Sequence, residues 1–222
     1  MNNLHHIRQT GLIDPDNLTQ SIGMVGAGGI GSWTALGLLK MGVKDLTVYD
    51  FDVVEEPNLG SQLYTTSDIG TYKVEALQRR LEVLTGTLLK VDPLRFEGQE
   101  GVLHHDIIIG AVDNMATRSG LLDALVGLNK LLIDGRMAGN VIQIFTVRLD
   151  DPVAVEKYRA TLFSDEEATP IPCSERAVVY NTLIMGGLIT DLIAQNANGL
   201  VLPSEIEMDL TNFTLYKTRG GE

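Results

Sequence analysis

The segment Gly26-Ala27-Gly28-Gly29-Ile30-Gly31 fits the spacing G-x-G-x-x-G. Glycines so placed let backbone approach a phosphate chain, and a helix opening after them turns N–H groups and a positive dipole end toward an anion. Asp50 closes the next apolar run, DLTVYD, where a carboxylate can bind ribose hydroxyls. Lys73 opens the helical pattern YKVEALQRRLEVLT. A cation in the first turn opposes the helix macrodipole, so it needs another reason to be there, and a phosphate chain is one. Asp113 ends the apolar run DIIIGAV, where a buried carboxylate is costly unless paired or metal-bound; with Asn114 it also suits a helix N-cap. Cys173 precedes a long apolar helical segment, where a thiolate is favoured; an inert cysteine near the cap is the competing reading.

These residues need elements to hold them. Residues 21–27 read as a buried strand and 30–41 as a helix, followed by a strand at 45–50, a helix at 72–85 and a strand at 87–94. A clear buried strand over 106–112, a helix over 115–128, two strands over 130–136 and 141–148, a long helix over 176–197 and a closing strand pair over 205–217 complete the pattern. This rhythm predicts an α/β fold: a Rossmann-like, mostly parallel central sheet flanked by helices, with antiparallel strands toward the C-terminus. Ligands of such sheets sit at the carboxyl ends of the strands. Residues 97–101 read as a polar turn. Residues 150–172 lack periodicity and are expected to form an exposed crossing loop.

The chain has 222 residues, enough for one domain with a sizeable core. Its formal net charge of −12 disfavours a phosphate-backbone partner, so nucleic acid is not expected. No apolar run is long enough to cross a membrane, and Met1 to Thr10 lacks the apolar core of a secretory signal, so a cytoplasmic location is expected. The lone cysteine excludes an intrachain disulfide and a four-cysteine zinc site, and no structural zinc is expected.

By itself the glycine loop indicates a nucleotide, since NAD, FAD, S-adenosylmethionine and ATP all use such geometry. Three further blocks narrow the choice: Asp50-Phe51-Asp52-Val53-Val54-Glu55-Glu56-Pro57-Asn58-Leu59-Gly60-Ser61-Gln62, Gly70-Thr71-Tyr72-Lys73-Val74, and Asp113-Asn114-Met115-Ala116-Thr117-Arg118. With the loop, they resemble in order and spacing the ThiF/MoeB family, which includes the adenylation domains of ubiquitin-activating enzymes. The resemblance covers roughly residues 8–195. It implies ATP and Mg²⁺, with Gly26, Gly28, Gly29 and Gly31 shaping the nucleotide loop, Asp50 holding ribose and Asp52 among the cofactor-binding residues. It further implies that Asn58, Gln62, Lys73 and Asn114 contact the nucleotide and that Asp113 holds Mg²⁺. Arg118 matches too, or braces the strand end by ion pairing. Arg8 resembles the arginine that, in family dimers, reaches the partner's ATP site, which implies a homodimer.

The sequence departs from the family at Ser61, where a phosphate-clamping arginine is usual, and Arg136 is the candidate substitute. The implied organisation is a single adenylation domain over 1–222, with an arm at 1–20, the crossing loop at 150–172, and a C-terminal helix and closing strands at 173–222. The implied reaction is adenylation of the C-terminal glycine carboxylate of a small ubiquitin-like or sulfur-carrier protein, with Cys173 accepting the acyl group afterwards. Alternatives are a non-catalytic partner subunit, favoured by Ser61, and adenylation of a small molecule or tRNA base. A nicotinamide-dependent dehydrogenase would explain the loop and Asp50, but neither Lys73 nor Asp113-Asn114.

Overall fold

The computed structural model describes residues 4–96, 100–163 and 178–219. The parallel strands are β1 (Ile22–Val25), β2 (Leu46–Tyr49), β3 (Lys90–Asp92), β4 (Ile107–Gly110) and β5 (Leu131–Ala138). Three antiparallel strands follow: β6 (Val141–Arg148), β7 (Pro203–Asp209) and β8 (Thr214–Arg219). Among the described residues they form one sheet in the order β3-β2-β1-β4-β5-β6-β7-β8. The chain order reverses between β1 and β4, the switch point where a ligand crevice opens in such sheets.

The central parallel strands β1 and β4 are buried on both faces, so they read as continuous apolar runs rather than alternating ones, while the edge strand β3 is partly exposed. Successive side chains serve two cores. Met24 and Ile109 join Leu38 of α1 (Gly29–Met41), Leu77 of α2 (Lys73–Thr85) and Ile189 of α6 (Val179–Ala197) on one face. Val25 and Ile108 join Leu122 of α4 (Met115–Leu125) and Tyr158 of α5 (Pro152–Arg159) on the other. A short helix, α3 (Glu100–Leu103), adds Val102 to that second face.

Two expectations about loops change. Residues 152–159 of the expected crossing loop are α5: Asp151 caps it by accepting from Val153 N and Ala154 N, and Pro152 fits its first turn. Only two of its side chains, Val155 and Tyr158, are buried, too few to show helical periodicity. Residues 164–172 of that loop lie outside the described residues. Of the polar turn at 97–101, the last two residues belong to α3 and 97–99 lie outside.

The N-terminal arm packs at the C-terminal end of α1. Gln9 Nε2 donates to the Met41 carbonyl at 2.5 Å, and Ile13 and Leu18 enter the core.

Candidate active site

β1 ends at Val25 and the chain turns sharply into Gly26, whose φ of 105° an L side chain rarely adopts. A Cβ there would lie 2.3 Å from the Ala111 carbonyl oxygen, and one on Gly31 would lie 1.9 Å from the Gly26 carbonyl oxygen. The loop is therefore wound against its own helix and against the end of β4. Gly28 is the N-cap of α1 and supplies no side-chain cap. First-turn N–H groups of a helix lack intrahelical acceptors and point outward, toward an anion.

Asp50, just past β2, holds this loop. Its Oδ2 accepts from Ala27 N at 2.6 Å and its Oδ1 from Asp52 N at 2.8 Å. Burial raises its pKa above the ordinary aspartate value; the Ala27 hydrogen bond and the Lys73 charge pull the other way. A carboxylate has about four lone-pair positions, so two remain for ribose hydroxyls. The Tyr64 hydroxyl donates to the Ala27 carbonyl at 2.6 Å, fixing the loop from the other side.

Asp52 carries the chain of contacts on. Its carbonyl accepts from Lys73 N and its Oδ2 from Lys73 Nζ, both at 2.8 Å. The Lys73 side chain is 10% exposed, against 48% for Asp52. An ammonium has three donors and Asp52 takes one, so Lys73 retains the capacity to meet phosphate oxygens. Gln62 stands over Gly28, its Nε2 3.9 Å from where a Gly28 Cβ would be. Its Oε1 is buried and has no hydrogen-bond partner among the described residues. Asn58 is engaged locally, its Oδ1 accepting from Glu55 N at 2.9 Å.

Asp113 lies beyond the end of β4 and is exposed, so the burial cost expected for it does not arise. Asn114 caps α4, accepting from Thr117 N at 2.8 Å, and its amide reaches Asp113 Oδ1 at 3.3 Å. Arg118 does brace the strand ends: Nε donates to Asp134 Oδ1 at 3.0 Å, and Nη2 to the carbonyls of Val112 at 2.5 Å and Gly135 at 3.2 Å.

A family model described as "ThiF family" matches residues 7–219. The chain belongs to the ThiF family. It is 35% identical over 211 residues to the sulfur carrier protein ThiS adenylyltransferase of Escherichia coli K12, covering 92% of this chain and 80% of that protein. It is 38% identical over 120 residues to the adenylyltransferase and sulfurtransferase MOCS3 of Aedes aegypti, covering 52% of this chain and 28% of that protein. A sulfur carrier protein adenylyltransferase of Thermus thermophilus matches at 38% over 121 residues, 52% of this chain and 44% of that one. The match thus spans less than half the length of these last two relatives. Among solved structures, E. coli MccB with AMPCPP and MccA superposes with a TM-score of 0.77 at 16% identity, covering all of this chain and 72% of that one. E. coli MccB with ATP gives 0.77 at 15% identity, covering 100% and 73%. At these identities the likeness is one of fold.

Within this ThiF-family fold, the Gly26–Gly31 loop, Asp50, Asp52, Gln62 and Lys73 meet in one cluster, and Ala111 beneath Gly26 leads directly to Asp113 and Asn114. Two candidates fall elsewhere. Arg136 does not have the freedom expected of a substitute clamp: Nε donates to Asp134 Oδ2 at 2.7 Å, and Nη1 and Nη2 donate to the Thr161 carbonyl and hydroxyl, each at 3.0 Å. Its guanidinium also lies 4.3 Å over the Phe145 ring. Arg8 is exposed on the arm, which is fastened to the far end of α1. Cys173 lies outside the described residues. Ser61, in place of the family arginine, is buried; its carbonyl accepts from Trp33 Nε1 at 2.9 Å and Thr182 Oγ1 at 3.1 Å, pinning this stretch to α1 and α6.

Reading the sequence missed Asp134 and Tyr158. A charged residue inside the apolar strand LLIDGRMA was the available signal, since a buried carboxylate needs partners. Burial, and then the neighbouring Asp134 carboxylate, push the Tyr158 hydroxyl well above its ordinary pKa, so it stays protonated and donates to Asp134 at 3.1 Å.

Proposed function

We propose that this chain uses Mg-ATP to adenylate the C-terminal glycine carboxylate of a small ubiquitin-like or sulfur-carrier protein. One observation carries the reading: an uncapped helix N-terminus and a buried lysine are joined through Asp50 and Asp52 into one bonded unit. That is an anion site with a ribose acceptor at its edge, which suits a nucleoside triphosphate better than a hydride carrier.

The incoming carboxylate oxygen bonds to the α-phosphorus, the bond from that phosphorus to the bridging oxygen breaks, and pyrophosphate leaves. The first-turn amides of α1 and the Lys73 ammonium stabilise phosphate charge, Asp50 orients the ribose, and Gln62 and Asn58 frame the nucleotide. Asp113 would hold Mg²⁺: it is an exposed hard-oxygen donor two residues past Ala111, which lies against Gly26 of the loop, and it accepts one weak contact from Asn114. The ion, when bound, neutralises phosphate charge. Cys173 would take the acyl group from the adenylate as a thioester, releasing AMP.

Arg8 gives the reading its quaternary form. α1 has 13 residues and is about 20 Å long, and the arm sits at the end opposite the glycine loop. We infer a homodimer in which Arg8 serves a partner protomer's site; its distance from its own glycine loop supports that reading.

The test is pyrophosphate exchange: labelled pyrophosphate should enter ATP only when a small protein ending in Gly-Gly is supplied, and Lys73→Met should slow it by about 10²–10³-fold. No exchange, together with no ATP binding by calorimetry, would favour the second reading, a non-catalytic partner subunit. Ser61 in place of the family's arginine is the observation behind that alternative.

A further inference from the structure

Asp134 is 1% exposed in the middle of β5, and the reaction above gives it nothing to do. Its carboxylate accepts from three side chains: Arg136 Nε at 2.7 Å, Arg118 Nε at 3.0 Å and the Tyr158 hydroxyl at 3.1 Å. Each partner carries the contact to a different element. Arg118 passes it to the carbonyls of Val112 and Gly135, Arg136 to Thr161 past the end of α5, and Tyr158 brings α5 itself onto the sheet. A Cβ on Gly110 would lie 3.1 Å from Asp134 Oδ1, so the carboxylate rests against the end of β4.

Burying two guanidiniums around one carboxylate is costly, and apolar side chains of similar volume would often be as stable there. A fully bonded polar network does what apolar packing does not: it holds one set of atoms in one arrangement. The atoms held here are the backbone of the β4–α4 turn. Val112 is gripped from below by Arg118, and Asn114 closes the turn by accepting from Thr117 N. Asp113 lies between these two fixed points.

We propose that Asp134 is a positioning residue which, acting through Arg118, holds the β4–α4 turn so that Asp113 and Asn114 face the nucleotide crevice. Its consequence for the nucleotide rests on the adenylation reading. Its effect on the turn belongs to the ligand-free protein.

The experiment uses the full chain with Asp134→Asn, which keeps size and removes charge. Hydrogen exchange without ligand should show amides 112–118, Thr117 included, exchanging about tenfold faster or more, with β1 amides unchanged. Calorimetry with Mg-ATP should then show affinity about tenfold weaker than wild type, the usual scale for losing a supporting partner. Arg118→Lys should behave alike. If Asp134→Asn does not fold, Tyr158→Phe, which removes the 3.1 Å hydroxyl donor alone, carries both readouts with smaller shifts in the same direction. Unchanged exchange at 112–118 overturns the proposal, as does faster exchange spread equally over β1, or unaltered Mg-ATP affinity in a protein whose wild type binds it. Faster exchange confined to the turn, with no Mg-ATP binding by wild type, upholds the positioning and refutes the adenylation reading instead.

Discussion

Replacing Lys73 with methionine should separate its chemistry from its structural role. The ammonium is 2.8 Å from Asp52 Oδ2 on a side chain that is 10% exposed, while the Asp52 side chain is 48% exposed. Losing the pair leaves behind a half-exposed carboxylate that water can solvate. The stability cost is therefore on the scale of a surface pair, about 0–1 kcal/mol. A lysine at the first position of α2 also opposes the helix dipole, and its removal returns about 0.3–1 kcal/mol. The two nearly cancel, and methionine fills the apolar part of the space. For a chain of this size a residual change of about 1 kcal/mol moves Tm by about 2–4 °C. The effect on turnover is of another order. A preorganised charged donor to the reacting phosphates contributes about 10²–10³ in rate, or about 3–4 kcal/mol. Thermal unfolding beside pyrophosphate exchange measures both. Exchange at the wild-type rate would refute the role given to Lys73. A Tm fall of about 10 °C or more would show instead that the Asp52–Lys73 pair chiefly holds the fold together.

Gly26→Ala should abolish ATP binding by calorimetry, because its Cβ would lie 2.3 Å from the Ala111 carbonyl oxygen at a φ of 105°. Leu122→Ala, fully buried beneath the sheet, should cost about 2–5 kcal/mol by chemical denaturation. Asp50 has a folded pKa above its ordinary 3.8, so its stabilising contribution is greatest below that value and is lost as pH rises through the folded pKa. The Tm of Asp50→Asn minus that of wild type should therefore rise as pH increases from 3.8 and then level off; a pH-independent difference would contradict this. Arg8→Ala and Lys73→Met should each be nearly inactive alone, but random mixing of protomers should restore about one site in four, measured by exchange after co-refolding.

What was legible in the sequence was local. Backbone that must approach a phosphate needs glycine, so the Gly26–Gly31 loop could be read without its surroundings. Buried parallel strands show as unbroken apolar runs, and α1 and α2 show helical spacing. The residue types of the candidate site could be named for the same reason, because Asp50, Lys73 and Gln62 stand at fixed distances from recognisable element ends. Tertiary structure alone decided which charges remain available. Arg118 meets Asp134 across 16 residues of sequence, and Tyr158 meets it across 24. No local period encodes such distances, so the sequence offered Arg136 as a phosphate ligand when packing commits it to Asp134 and Thr161. Asp113 was read as buried because β4 before it is, yet the turn carries it into solvent. α5 went unseen because two buried side chains leave too faint a pattern, although their burial completes the second core. Hydrophobic spacing records which face of an element is covered. Which polar groups find one another beneath that cover depends on how separate elements pack in space.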